Sequence, residues 1–291
     1  MGFPPEIILE AVLNGLLTGA VYGLVALGLT LVYGVLHIIN FAHGSLLMLA
    51  LYGVFFLHAV FGIDPYVSLL IVPPTLFVLG YALQRGVIGR ASHGKDENIL
   101  LVTLGLAIVM DNLALYFWKA DTRTIDTPYG FDTVDLGIAS IAVPKAVAFV
   151  AALLICGALW LLMARTDLGK AIRALAKERQ GAQLVGINVP HLFAMSFGIG
   201  AACVGAAACL LLPSFYVAPD VGQVFVLIAF TVVVLGGMGS FAGALIGGMI
   251  IGVTESIGGL FLGESLGQLG IFVIFIAVLL FRPTGLLGHR A

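Results

Sequence analysis

The chain has 291 residues, 61% hydrophobic and only 10% charged, with a mean hydropathy of +1.15. Soluble globular domains carry about 25% charged residues, so a soluble enzyme and a disordered chain are both excluded. The formal net charge of −2 offers no basic field to nucleic acid.

Charge-free stretches run over 11–63, 146–164, 180–219, 221–254 and 265–281. A membrane-spanning helix needs about 20 apolar residues. Barrel strands would alternate apolar and polar residues, and these stretches do not. Helices are expected over 6–35, 41–61, 66–85, 98–118, 145–164, 192–212, 222–236, 241–261 and 266–282. The fold class is therefore an all-α polytopic membrane protein. It is a bundle of about 8–9 transmembrane segments in a single domain over 1–291. The seventh segment is short and ends at Gly236-Gly237-Met238-Gly239-Ser240. It reads either as a tilted span or as a broken or re-entrant helix of the kind transporters use to expose backbone groups. The N-terminus lacks the basic start and cleavage site of a secretory signal, so the first apolar run is expected to belong to the mature protein.

Lys and Arg set the orientation. Arg85, Arg90 and Lys95 form one cluster, and Arg165, Lys170, Arg173, Lys177 and Arg179 a second; Arg282 and Arg290 close the chain. These clusters hold 10 of the 13 basic residues and are expected in the cytoplasm. Loop 119–144, with Asp121, Asp126, Asp132 and Asp135, then lies outside. Counting spans puts the N-terminus outside and the C-terminus in the cytoplasm.

The loop 165–191 holds a short amphipathic helix. Thr166 or Asp167 caps its start, and Gly181 is expected to end it. Leu168, Ile172 and Leu175 recur at helical spacing beside Ala171 and Ala174. Such a helix lies on anionic lipid or docks in a groove of a soluble partner. The stripe has no Trp or Phe, which favours the partner.

Four ordered motifs now carry a resemblance. Gly169-x-Ala171-x-Arg173-Ala174 is followed by Ala182-x-Leu184-x-Gly186-Ile187-Asn188-Val189. Leu27-Gly28-Leu29-Thr30 through Gly34 leads into Ile39-Asn40-Phe41-Ala42-His43-Gly44. Val234-Leu235-Gly236-Gly237-Met238-Gly239-Ser240 precedes Gly252-Val253-Thr254-Glu255, and Phe281-Arg282-Pro283-Thr284-Gly285-Leu286 ends the series. From about residue 10 to 288 the sequence resembles the LivH-type permeases of branched-chain amino acid ABC transporters. His37 departs from the pattern, and loop 119–144 supports no carry-over.

The resemblance implies an importer permease for branched-chain or other hydrophobic amino acids in the bacterial inner membrane. It implies a second related permease, two cytoplasmic ATP-binding subunits and a periplasmic or extracellular solute-binding protein as partners, with no nucleic acid. Residues 165–191 would be the coupling loop, with Leu168, Gly169, Ala171, Ile172, Arg173, Leu175, Glu178, Leu184 and Gly186 facing the ATPase. The chain has no Gly-x4-Gly-Lys-Ser/Thr motif of its own. It is expected to carry no cofactor, with ATP and Mg in the partner subunits, and not to be an enzyme.

Polar residues inside spans are default site candidates. Asn40, His43, Asp111, Asn112 and Glu255, with Gly236 and Gly237, are the candidates for pathway or gating. Each has a plainer reading: a helix cap for Asn40 and His43, and an interfacial or structural hydrogen bond for Asp111 and Glu255. Gly15, Gly19 and Gly23 share a helix face, as do Gly239, Gly243 and Gly247 with Gly248 and Gly252 nearby, which suits close helix packing. Cys156, Cys203 and Cys209 are odd in number and lie in apolar runs, so neither a disulfide framework nor a metal site is indicated. The competing functions are an ion-coupled secondary transporter, a passive channel, or a permease of the same family for urea, amides or aromatic acids. The first two leave loop 165–191 without a purpose.

Overall fold

The computed structural model describes residues 4–91, 96–135, 137, 139–282 and 284–288. Lys95, Pro283 and Arg290 therefore lie outside the described residues.

The first apolar run forms one helix, α1 (Pro5–Leu36), about 48 Å long at 1.5 Å per residue. Pro5 opens it without loss, because the first-turn N–H groups have no intrahelical partner. His37, in the left-handed conformation (φ 56°), closes it with its N–H on the Tyr33 carbonyl.

The chain then turns back into the bundle before α2 (Ala42–Phe61) begins. Asn40 caps that helix, its Oδ1 accepting the Ala42 N–H at 3.1 Å. His43 Nε2 donates to the Val25 carbonyl at 2.9 Å. Val25 lies eleven residues before Leu36, so α2 starts roughly 16 Å inside the end of α1.

The third segment is α3 (Val72–Leu83), entered through a 3-10 turn at Val67–Leu70. It continues beyond the expected end at 85, through a π-helical turn (Gln84–Ile88) into α4 (Gly89–Ala91). After α5 (Asp96–Trp118), loop 119–144 forms a small hairpin of β1 (Thr133–Asp135) and β2 (Ser140–Ala142), with Val134 opposite Ile141. Then come α6 (Val143–Arg165), α7 (Asp167–Lys177), α8 (Arg179–Leu184) and α9 (Val189–Leu211). The last three helices are α10 (Val221–Gly236), α11 (Phe241–Leu262) and α12 (Glu264–Phe281).

Seven of these segments are long and apolar enough to cross a membrane, and Val221–Gly236 and Leu266–Phe281 are shorter apolar helices. The fold class and the segment order match those read from the sequence.

Two ends can be told apart. At the loop end, Tyr129 donates to Asp64 Oδ2 at 2.7 Å, and Lys145 Nζ reaches Asn14 Oδ1 at 3.4 Å. At the elbow end, residues 165–191 meet the close of α1, and Leu286 and Leu287 donate to the Leu235 and Gly236 carbonyls.

The glycines set the closest helix pair. A Cβ at Gly19 would fall 2.6 Å from the Gly248 carbonyl oxygen, and one at Gly15 2.6 Å from Val253 Cα. Backbone approach of this kind lets dispersion forces hold α1 against α11 where lipid supplies no hydrophobic drive.

The short seventh segment resolves into a broken crossing. α10 is about 24 Å long, half the length of α1. Its first turn meets the first turn of α2, with Gly222 against the Gly44 carbonyl. The remaining depth is covered by residues 215–220, where Val217 and Arg123 exchange backbone hydrogen bonds at 2.8 and 2.9 Å. The Arg123 guanidinium sits over the Phe55 and Phe56 rings and donates to the Trp118 carbonyl, which fixes this strand pair at the loop end. The segment enters at one end and leaves at the other, so it is not re-entrant.

Candidate functional site

The elbow is built by local capping. Thr166 Oγ1 accepts the Gly169 N–H at 3.1 Å and starts α7. Gly169 is required there, because a Cβ would press into the Met163 backbone at the end of α6. Arg173 donates to the Met163 carbonyl, so the guanidinium ties α7 back to α6. The helix ends at Lys177 rather than at Gly181. Glu178 is extended, and its carboxylate accepts the Gln180 N–H to start α8. Gly181 lies inside α8. Asn188 Oδ1 then accepts the His191 N–H and opens α9.

The apolar stripe of α7 faces this chain, not a partner. Ile172 and Leu175 are each 2% exposed and pack with Leu31, Val35, Met163 and Leu192. Leu168 and Ala171 pack on the same cluster. The apolar groups left free are Leu184, 89% exposed, and Val185, 76% exposed, at the tip where Gly186 turns with φ 85°. Glu178 and Arg173 are exposed as well. The elbow thus has its apolar side wedged under α1 and α9 and its tip open.

The intramembrane candidates divide. Asn40 caps α2, and His43 pins α2 to α1 with an Nε2–H, leaving Nδ1 buried without a partner. Asp111 lies in a cleft of about 160 Å³ where α2, α5 and the first turn of α10 meet. Its Oδ1 is shielded from solvent and has no hydrogen-bond partner. Phe41, Ser45, Gly222 and Gln223 share the cleft, and Leu104, Ile108 and Val226 give it apolar walls. Asn112 is exposed, is not among the residues lining the cleft, and bonds the Ile108 carbonyl of its own helix at 2.7 Å. Glu255 faces the Tyr22 hydroxyl between α11 and α1 and does not line the cleft. Gly236 and Gly237 form the turn at the elbow end, where Gly237 has φ 101° and Gly236 packs on Gly243.

Ser45 and Gln223 escaped the sequence reading. Gln223 is a polar residue in a charge-free run, which was the available signal. Its importance comes from α10 starting inside the bundle, and hydropathy carries no depth information. Among the described residues, no group of three His, Cys, Asp or Glu side chains is arranged to hold a metal.

The model of the family described as "Branched-chain amino acid transport system / permease component" matches residues 11–281. The chain is 35% identical to the high-affinity branched-chain amino acid transport permease BraD of Pseudomonas aeruginosa, over 98% of each chain. It is 32% identical to LivH of Salmonella typhimurium, over 97% of this chain and 96% of the relative. A probable branched-chain amino acid permease LivH from Methanocaldococcus jannaschii is 30% identical, over 91% and 88%.

Proposed function

The chain belongs to the family of permease components of branched-chain amino acid transport systems, and from that premise we propose that it forms half of the substrate passage of an ATP-driven importer for branched-chain or other hydrophobic amino acids. The other half comes from a second related permease. Two ATP-binding subunits, which bring ATP and Mg, grip the elbow from the cytoplasm. A solute-binding protein delivers the amino acid at the loop end. In this orientation the N-terminus is outside and the C-terminus inside.

The observation that supports this reading most is the elbow itself. Its stripe is wedged into the bundle while Leu184 and Val185 stay open. A push on the tip moves α7, and through Ile172 and Leu175 it moves the ends of α1 and α9.

The amino acid passes the Asp111 cleft. A zwitterionic substrate brings one ammonium, from which the unpartnered Oδ1 of Asp111 accepts a charge-assisted hydrogen bond. An aliphatic side chain meets Leu104, Ile108 and Val226. Urea or a small amide has no group for those apolar walls, so the cleft favours the aliphatic amino acid.

Site-directed labelling tests the orientation. A cysteine placed at Val185 should react only from the cytoplasmic side, and one at Asp126 only from outside. The native cysteines are buried and leave the readout clean. Labelling of Val185→Cys from outside would overturn the proposed arrangement.

A further inference from the structure

A cavity of about 410 Å³ opens at the elbow end, between the joint of α7 and α8, the π-helical turn after α3 and the start of α9. Arg85, Arg90, Lys177 and Arg179 line it, with Glu178 as the one acidic lining residue. None of the four cations is in an ion pair among the described residues, where Lys170–Asp167 is the pair found. Arg85 donates to the Tyr81 hydroxyl at 2.9 Å, and Arg179 stacks over the Phe193 ring at 5.1 Å, so both guanidinium groups are held in place without neutralisation.

Gln84 also lines the cavity. It is 3% exposed, and its side-chain Oε1 has no hydrogen-bond partner. Its amide sits on the π-helical turn, a local widening often found at functional sites. The remaining walls include Val35, Ile99 and Phe193, so the cavity is cationic at its rim and apolar within. Four like charges around one space repel one another, and an anion relieves that cost.

We propose that this cavity binds the phosphate of an anionic phospholipid headgroup, which fastens the α7–α8 joint to the inner ends of α3 and α5. The apolar walls receive the glycerol and first acyl carbons, and a headgroup hydroxyl satisfies the Gln84 amide. Free phosphate offers the same charge but nothing for Val35, Ile99 and Phe193. Binding here is independent of what the permease carries, so its failure would leave the transport reading untouched.

The test uses the purified transporter complex, delipidated and returned to nanodiscs of phosphatidylcholine with or without phosphatidylglycerol. Retained lipid is read by native mass spectrometry after transfer to detergent. The wild type should retain phosphatidylglycerol. The variant Arg85→Gln/Arg90→Gln/Lys177→Gln should retain about tenfold less, the scale of one charge-assisted contact. Arg85→Lys with Arg90→Lys keeps the charges and should hold the lipid, as should Lys119→Gln at the opposite end. Equal retention by the wild type and the triple Gln variant would overturn the proposal. Inorganic phosphate binding in phosphatidylcholine alone, with no phosphatidylglycerol retained, would overturn the lipid as the source.

Discussion

In the proposed passage, Asp111 is the residue that meets the substrate's ammonium. A carboxylate oxygen without a partner, beside apolar walls, is costly unless a cation visits it. Asp111→Asn keeps the shape and removes the charge. The half-saturating concentration for uptake should rise about tenfold (~1.4 kcal/mol), while Asn112→Ala, on the exposed side of α5, leaves it unchanged. Transport assays on the assembled complex decide between the two. Gly19 shows the opposite kind of constraint. Gly19→Ala would place a methyl 2.6 Å from the Gly248 carbonyl oxygen, and overpacking of this kind costs about 1–3 kcal/mol. Thermal unfolding should show a loss of stability, and Gly157→Ala, where nothing lies within 4 Å, should show none.

Among the elements, the elbow carries the sharpest lesson. Its helix was legible because Leu168, Ile172 and Leu175 recur at helical spacing and Thr166 caps the start. Which way the stripe faces was not legible, since an amphipathic helix looks the same whether it covers its own chain or a partner. The structure turns it inward and leaves Leu184 and Val185 at the tip. Leu184→Asp with Val185→Asp should therefore abolish co-purification of the ATP-binding subunits while the permease still folds. Ile172→Ala should leave binding in place and weaken the link between hydrolysis and uptake, because it hollows the wedge under α1. Retained co-purification in the double Asp variant would move the grip elsewhere on the elbow.

At the scale of the whole molecule, nine apolar segments could be read from run length and charge spacing; their order holds, and so do their limits within about three residues, except that the third runs on to Ala91. What hydropathy could not give is depth. His43 and Val25 share a level, and Gly44 meets Gly222, so α2 and α10 both begin inside the bundle rather than at its ends. Those two interior starts, with Asp111 beside them, enclose the cleft that the proposed passage uses to hold a small zwitterion partway across. The most direct measurement is uptake of a branched-chain amino acid by proteoliposomes containing this chain, its sister permease, the two ATP-binding subunits and the solute-binding protein. Uptake should require ATP and continue without any ion gradient. Uptake driven by a proton or sodium gradient with the ATP-binding subunits left out would contradict it.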